Sequence, residues 1–328
     1  MRRKKRHSLG MLGGICGLVF FVSPCDAHRQ IKIAVIPATE GNLQWDPAHA
    51  GATDAAGPAG IFVYWNAPTR EDDVETQIAL VERVTGGDYQ GLVLAPDQAL
   101  SLITPVRRVL AHGIPTVIIG SPLPIAAGDN LSYVLNDDAE GGRMAAERIA
   151  KLLNGHGSVA LLGINPDITG IMIRSRAFEE LVAQKYPDIR IVEKRVGTFN
   201  MAHEEQVAEV TMKAHPDLDA IVALMWPTID GTMAALDASP GGHSIKIVGF
   251  DPFGLPLFQQ KPNLDCIIRE DTRSMGRRAI ELIHDRLLGK AVPATVTLEP
   301  TLITRENIDT PEIQQMFASG HWQWRPAQ

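Results

Sequence analysis

Ala220-Ile221-Val222-Ala223-Leu224-Met225-Trp226-Pro227, followed one helix-length later by Ile245-Lys246-Ile247-Val248-Gly249-Phe250-Asp251, is the stretch that decides the fold. Both runs are apolar with little alternation, the pattern of a strand buried on both faces. Strands of that kind belong to parallel sheets covered by helices on each side. The same pair of runs occurs earlier, as Gly91-Leu92-Val93-Leu94-Ala95-Pro96 and Ile114-Pro115-Thr116-Val117-Ile118-Ile119-Gly120. In each pair the first run ends in a proline-bearing loop and the second in a glycine-containing loop, without a strict sequence repeat. Two similar open sheets are the simplest account.

Working outward, further β-branched runs at 31–36, 61–65, 159–162 and 189–196 alternate with helix-periodic segments at 72–84, 100–111, 140–153, 174–185, 204–214 and 273–288. The alternation predicts an α/β protein built from doubly wound parallel sheets. At 328 residues the chain is long enough for two domains. Open α/β sheets bind ligands beyond the carboxyl ends of their strands. That rule points to 38–45, 96–97, 120–121, 136–138, 165–169, 226–230 and 251–253, segments rich in polar and aromatic residues.

The compartment is read from Arg2, Arg3, Lys4, Lys5 and Arg6 ahead of an uncharged apolar run over 9–22, a secretory signal peptide with cleavage expected after Ala27. Its apolar core is shorter than the roughly 18–20 residues that a spanning helix needs. Val22-Ser23-Pro24-Cys25 loosely resembles a lipobox, so lipidation of Cys25 stands as an alternative to simple cleavage. Removal of residues 1–27 leaves 26 Lys and Arg against 37 Asp and Glu, a formal charge of about −11 instead of −7. An acidic chain of this kind argues against phosphate-neutralising nucleic-acid binding. Cys266 would then be the sole cysteine, so an intrachain disulfide is not expected.

Catalytic and metal motifs are not found: no Gly-x-Ser-x-Gly elbow, no Gly-x-Gly-x-x-Gly after a strand, no phosphate-cradling Gly-x-x-x-x-Gly-Lys and no His-Glu-x-x-His. No catalytic residue, metal ligand or cofactor is assigned. Asp137 and Asp138 precede a helix, where a carboxylate commonly caps. Trp226 follows a buried run directly and is read equally as a ligand-stacking or a core aromatic.

At this point the chain resembles the periplasmic sugar-binding family that includes the ribose- and galactose-binding proteins of ABC importers. The resemblance covers about residues 31–308. It is carried by Ile245 to Asp251, His215-Pro216-Asp217-Leu218-Asp219-Ala220-Ile221, Asn136-Asp137-Asp138 with Gly141-Gly142, and Ile114-Pro115-Thr116-Val117. It implies a type I periplasmic binding protein fold, two lobes joined by three crossings near Asn136, Glu270 and Val292. The expected lobes are 31–136 with 271–291, and 137–270 with 292–308, leaving 309–328 as a tail. A hinge would close them around ligand.

Carried over position by position, the family's ligand-contacting set falls on Asn42, Gln44, Trp45, Gly120, Ser121, Asp137, Met172, Met225, Asp251 and Glu270. Asp251 keeps a carboxylate suited to charge-assisted hydrogen bonds with sugar hydroxyls, and Trp45 keeps an aromatic wall. Gly120-Ser121 stands where family members often carry an Asp-Arg pair, Met172 where an Arg is expected, and Met225 where an Asn is expected. Trp226, Asp97 and Thr228 are candidates to compensate. The expected partners are a small polar ligand, a monosaccharide or derivative, and the membrane subunits of an ABC importer, with the protein itself a monomer. Delivery to a sensor kinase or chemoreceptor, and an exported carbohydrate-acting enzyme using Asp251 and Glu270, remain the alternatives. The kindred DNA-binding repressors need a helical headpiece where this chain has an export signal.

Overall fold

The computed structural model describes residues 30–40, 44–239, 244–250 and 260–318. The expected signal segment with Cys25, and the site candidates Asn42 and Asp251, lie outside these residues.

One sheet contains β1 (Lys32–Ile36), β2 (Phe62–Trp65), β3 (Gly91–Leu94), β4 (Thr116–Gly120), β5 (Leu131–Asn136) and β11 (Thr295–Leu298), in the order β2-β1-β3-β4-β5-β11. All its pairings are parallel. The other contains β6 (Gly157–Ile164), β7 (Ile189–Val196), β8 (Ala220–Ala223), β9 (Lys246–Phe250), β10 (Leu264–Arg269) and β12 (Thr301–Thr304), in the order β7-β6-β8-β9-β10-β12. Only β12 runs antiparallel. The two sheets repeat one winding, and in each the order reverses at its first strand, so both place a crevice beyond the strand carboxyl ends.

Burial on both faces explains the near-continuous apolar runs. Along β1, Ile33 and Val35 enter a core with α1 (Trp45–Ala56) and α8 (Thr272–Leu287), while Ala34 and Ile36 enter another with α2 (Val74–Gly86) and α3 (Ile103–Ala111). Along β6, Val159 and Leu161 pack with α4 (Asp138–Leu152) and α5 (Thr169–Lys185). Ala160 and Leu162 pack with α6 (Met201–Ala214) and α7 (Trp226–Ala238). Side chains alternate faces along a strand, so a central strand such as β1 or β6, covered on both faces, needs apolar residues at nearly every position.

Four of the described helices, α2, α4, α6 and α8, start at a side-chain cap. Asp73, Asp137, Asn200 and Asp271 accept hydrogen bonds from the backbone N–H groups of Thr76, Glu140, His203 and Ser274. Two of these caps, Asp137 and Asp271, stand at the points where the chain passes from one lobe to the other.

The chain crosses between lobes at 136–138, at 269–272 and at 298–301. The third crossing is not at Val292 as expected. β11 pairs with β5, and Val292, Val296 and Leu298 pack on the first lobe's core, so 292–298 belongs with that lobe. Residues 311–318 are also not tail: α9 (Pro311–Ala318) lays Ile313 against the second lobe's core.

Helices α1 and α8 approach to backbone contact. A Cβ on Gly276 would stand 1.9 Å from the Ala48 carbonyl oxygen, and one on Gly51 would stand 2.0 Å from that of Arg273. Gly276→Ala must push these helices apart, at about 1–3 kcal/mol. Thermal unfolding should show a midpoint lowered by about 4–8 °C. Gly86→Ala, where nothing lies within 4 Å of the added carbon, should not lower it.

Candidate ligand-binding cleft

The carboxyl ends of the strands in both sheets converge on a cleft between the lobes, lined by residues of both. The first lobe supplies Ala38 after β1, Ala95, Pro96 and Asp97 after β3, and Gly120 and Ser121 at β4. Its helix α1 adds Gln44 and Trp45. The second supplies Ile168, Gly170, Ile171 and Arg174 after β6, Phe199 after β7, and Met225 and Trp226 after β8. Asp138 and Glu270 stand at the first two crossings.

Of the residues chosen from sequence, Gln44, Trp45, Asp97, Ser121, Trp226 and Glu270 line this cavity together. Asp137 does not. Its side chain caps α4 by accepting from Glu140 N–H, and its neighbour Asp138 lines the cavity instead. Met172 is 40% exposed and also outside the lining. Helix α5 starts at Thr169, not at 174, and the faces that look inward are those of Gly170, Ile171 and Arg174.

Arg174 is the functional residue the sequence reading missed. It is nearly fully buried, donates to Asp138 Oδ1 from both Nε (3.0 Å) and Nη2 (2.6 Å), and pairs through Nη2 with Glu270. Its Nη1 donates to the Leu224 carbonyl at 3.2 Å, and its guanidinium lies 4.7 Å from the centre of the Phe250 ring. Fork geometry lets one guanidinium hold two carboxylates and a carbonyl at once, which a lysine could not do. The signal was present but indirect: a helix begun at Thr169 puts Arg174 one turn from Gly170.

Trp45 explains the departure at Gly120. Gly120 has φ +75°, and a Cβ there would approach Trp45 Cη2 to 3.2 Å, so the indole takes the place of a side chain at the end of β4. Ser121 is freed for another task. Its hydroxyl oxygen accepts from Gly170 N–H at 3.2 Å, and Ala99 N–H donates to the Asp167 carbonyl at 3.2 Å, so two hydrogen bonds link the lobes directly. Gln44 Nε2 adds a third contact toward the crossing, to Glu270 Oε2 at 3.1 Å.

Each lobe pins its own loops with one buried polar side chain. Gln77 of α2 donates to the carbonyls of Pro37 and Ala95 and accepts from Asp97 N–H, holding the ends of β1 and β3 together. Glu204 of α6 accepts from Thr198 N–H and the Thr228 hydroxyl, holding the end of β7 to the start of α7.

Asp97 is 3% exposed, and its Oδ2 has no hydrogen-bond partner. Burial, with Asp72 and Asp167 nearby, raises its carboxyl to about 7. Among the described residues no group of His, Cys, Asp or Glu converges so as to hold a metal ion.

This architecture defines a class of two-lobed proteins with an interlobe ligand cleft. The chain belongs to the periplasmic binding protein domain family, whose model matches residues 33–291. It is similar to the D-apiose import binding protein of Paraburkholderia graminis, 25% identical over 262 residues that span 78% of each chain. It is also similar to the ribose import binding protein of Bacillus subtilis, 27% identical over 237 residues, 72% of this chain and 75% of that one. A solute-binding protein of Agrobacterium vitis, solved with α-D-tagatopyranose, superposes with a TM-score of 0.81 at 21% identity, covering 88% of this chain and 99% of that one. At that identity the superposition establishes the shared fold.

Two predictions follow from the buried charges. Arg174→Ala leaves Asp138 and Glu270 buried without their cation and should cost about 3–5 kcal/mol in denaturant unfolding. Asp97 holds its proton to about pH 7 when folded but only to about 3.8 when unfolded. The unfolded chain therefore binds fewer protons in between, and stability falls as pH rises through that window, by up to about 4 kcal/mol. Asp97→Asn should be more stable than the parent at pH 8 and no more stable at pH 4, as read from paired melting curves.

Proposed function

We propose that this chain is an extracytoplasmic solute-binding protein that captures a monosaccharide or a derivative between its lobes and presents it, chemically unchanged, to the membrane subunits of an ABC importer. The observation that carries this reading is the single cavity where both sets of strand ends meet, walled by Trp45, Phe199 and Trp226 and edged by carboxylates. Indole and phenyl faces cover the apolar face of a sugar ring, and carboxylates accept its hydroxyl hydrogens. Relatives named for importing apiose and ribose support the same ligand class.

Residues 1–27 act as the export signal in this reading, with Cys25 as an alternative lipid anchor. Asn42 and Asp251, assigned by family resemblance, complete the ligand contacts alongside Gln44, Trp45, Asp97, Ser121, Trp226 and Glu270. The protein works by population shift: a ligand touching both lobes favours the closed form. Ser121 and Gly170 meet in that form, and opening separates them. The cleft residues serve to hold and orient, with no bond made or broken.

Titration calorimetry of the chain beginning at His28 against aldopentoses, aldohexoses, ketohexoses and polyols tests this directly. One class should bind with a Kd in the micromolar range or tighter and be recovered unaltered by mass spectrometry. Trp45→Ala should weaken it by about tenfold or more. No binding by any member of the panel, or recovery of a changed molecule, would overturn the proposal.

A further inference from the structure

The cleft is electrically lopsided. Among the described residues its ionisable lining is Glu71, Asp97, Asp138, Glu270 and Arg174, four acids against one base. Arg174 is already shared between Asp138 and Glu270. Asp97 lies close to carboxylates from two segments: Asp72 and Asp73 on the approach to α2, and Asp167 after β6 of the opposite lobe. Closing the lobes thus brings Asp167 toward Asp97 and Asp72, a like-charge approach that works against closure.

A carboxylate this deeply buried is ordinarily given a cation or a full set of donors. Asp97 has the support of the Asp72 backbone N–H, while its Oδ2 has no partner, and it borders the cavity. The same cavity presents Trp45, Trp226 and Phe199, and aromatic faces beside a carboxylate attract organic cations. A neutral polyol would offer hydroxyl donors but leave the excess negative charge in place. An ammonium group would offset it and remove the repulsion that closure creates.

We infer that the ligand of this cleft carries a protonated amine, as an amino sugar or amino polyol does, and that its ammonium group docks on the Asp97 carboxylate. The inference rests on the solute-capture reading and narrows it to a cationic class. Ligand charge then assists closure: the ammonium enters on the first lobe's Asp97 and offsets the repulsion between Asp97 and Asp167 of the second.

The test is calorimetry with matched pairs: glucosamine against glucose, galactosamine against galactose, and glucamine against sorbitol. At least one amine should bind about tenfold or more tightly than its neutral partner. Asp97→Asn should collapse that preference to within about threefold, with melting curves confirming that the variant folds. Rising pH from 6 to 8 should tighten glucamine binding in the parent, as Asp97 ionises while the alkylamine stays protonated, and leave the Asp97→Asn response to glucamine flat. If neutral sugars bind and their amines do not, the cationic assignment fails while solute capture stands. An amine preference that survives in Asp97→Asn overturns the role given to Asp97. If neither member of any pair binds, the sugar reading fails and this inference with it.

Discussion

One guanidinium ties the hinge together. Arg174 reaches out of α5 to hold Asp138, the last residue of the first crossing, and Glu270, which stands in the second. Two of the three strands of chain that join the lobes are thereby fixed to one another and to the second lobe. The remaining hydrogen bond to Leu224 and the stacking over Phe250 anchor the same group to the ends of β8 and β9. Buried ion groups of this kind are costly to break and are not a strong source of net stability. Their contribution here is geometric: Glu270 also accepts from Gln44, so the hinge network reaches the helix that carries Trp45.

From that fixed centre the rest of the cleft follows by repetition. Each sheet is wound in the same order, so each delivers its loops to the same end, and facing the two ends together makes a cavity with walls from both lobes. Gln77 and Glu204 make those loops rigid from within, leaving the relative motion of the lobes to the crossings. Among the described residues the lobes meet directly through Ser121 with Gly170 and Ala99 with Asp167. Ligand interactions that reach both lobes would shift the same equilibrium.

The fold was legible in the sequence because doubly buried strands leave little choice of residue. Runs such as Gly91 to Leu94 and Ala220 to Ala223 announce themselves. β10, with Asp265 in its middle, and the short strands β11 and β12 do not. Helix α1 escapes for a different reason: Trp45-Asp46-Pro47 reads as loop chemistry, yet proline is well placed in the first turn of a helix. Position after a strand marks Trp45 and Trp226 as candidates whether they stand in a loop or at a helix start, and both line the cleft. Arg174, Asp138 and Gln77 were out of reach for the opposite reason. Their roles are made by partners far away in sequence, such as Glu270 for Arg174, and no local pattern records such a pairing. Asp137 and Met172 were carried over from family positions, and with α4 and α5 starting where they do neither lines the cleft.

The central claim is that a small molecule draws two hinged lobes together. Small-angle X-ray scattering of the chain, alone and with whichever monosaccharide or amino derivative it binds, measures this directly. The account predicts a smaller radius of gyration when ligand is added, with the same molecular mass. A radius unchanged at saturating ligand would contradict it.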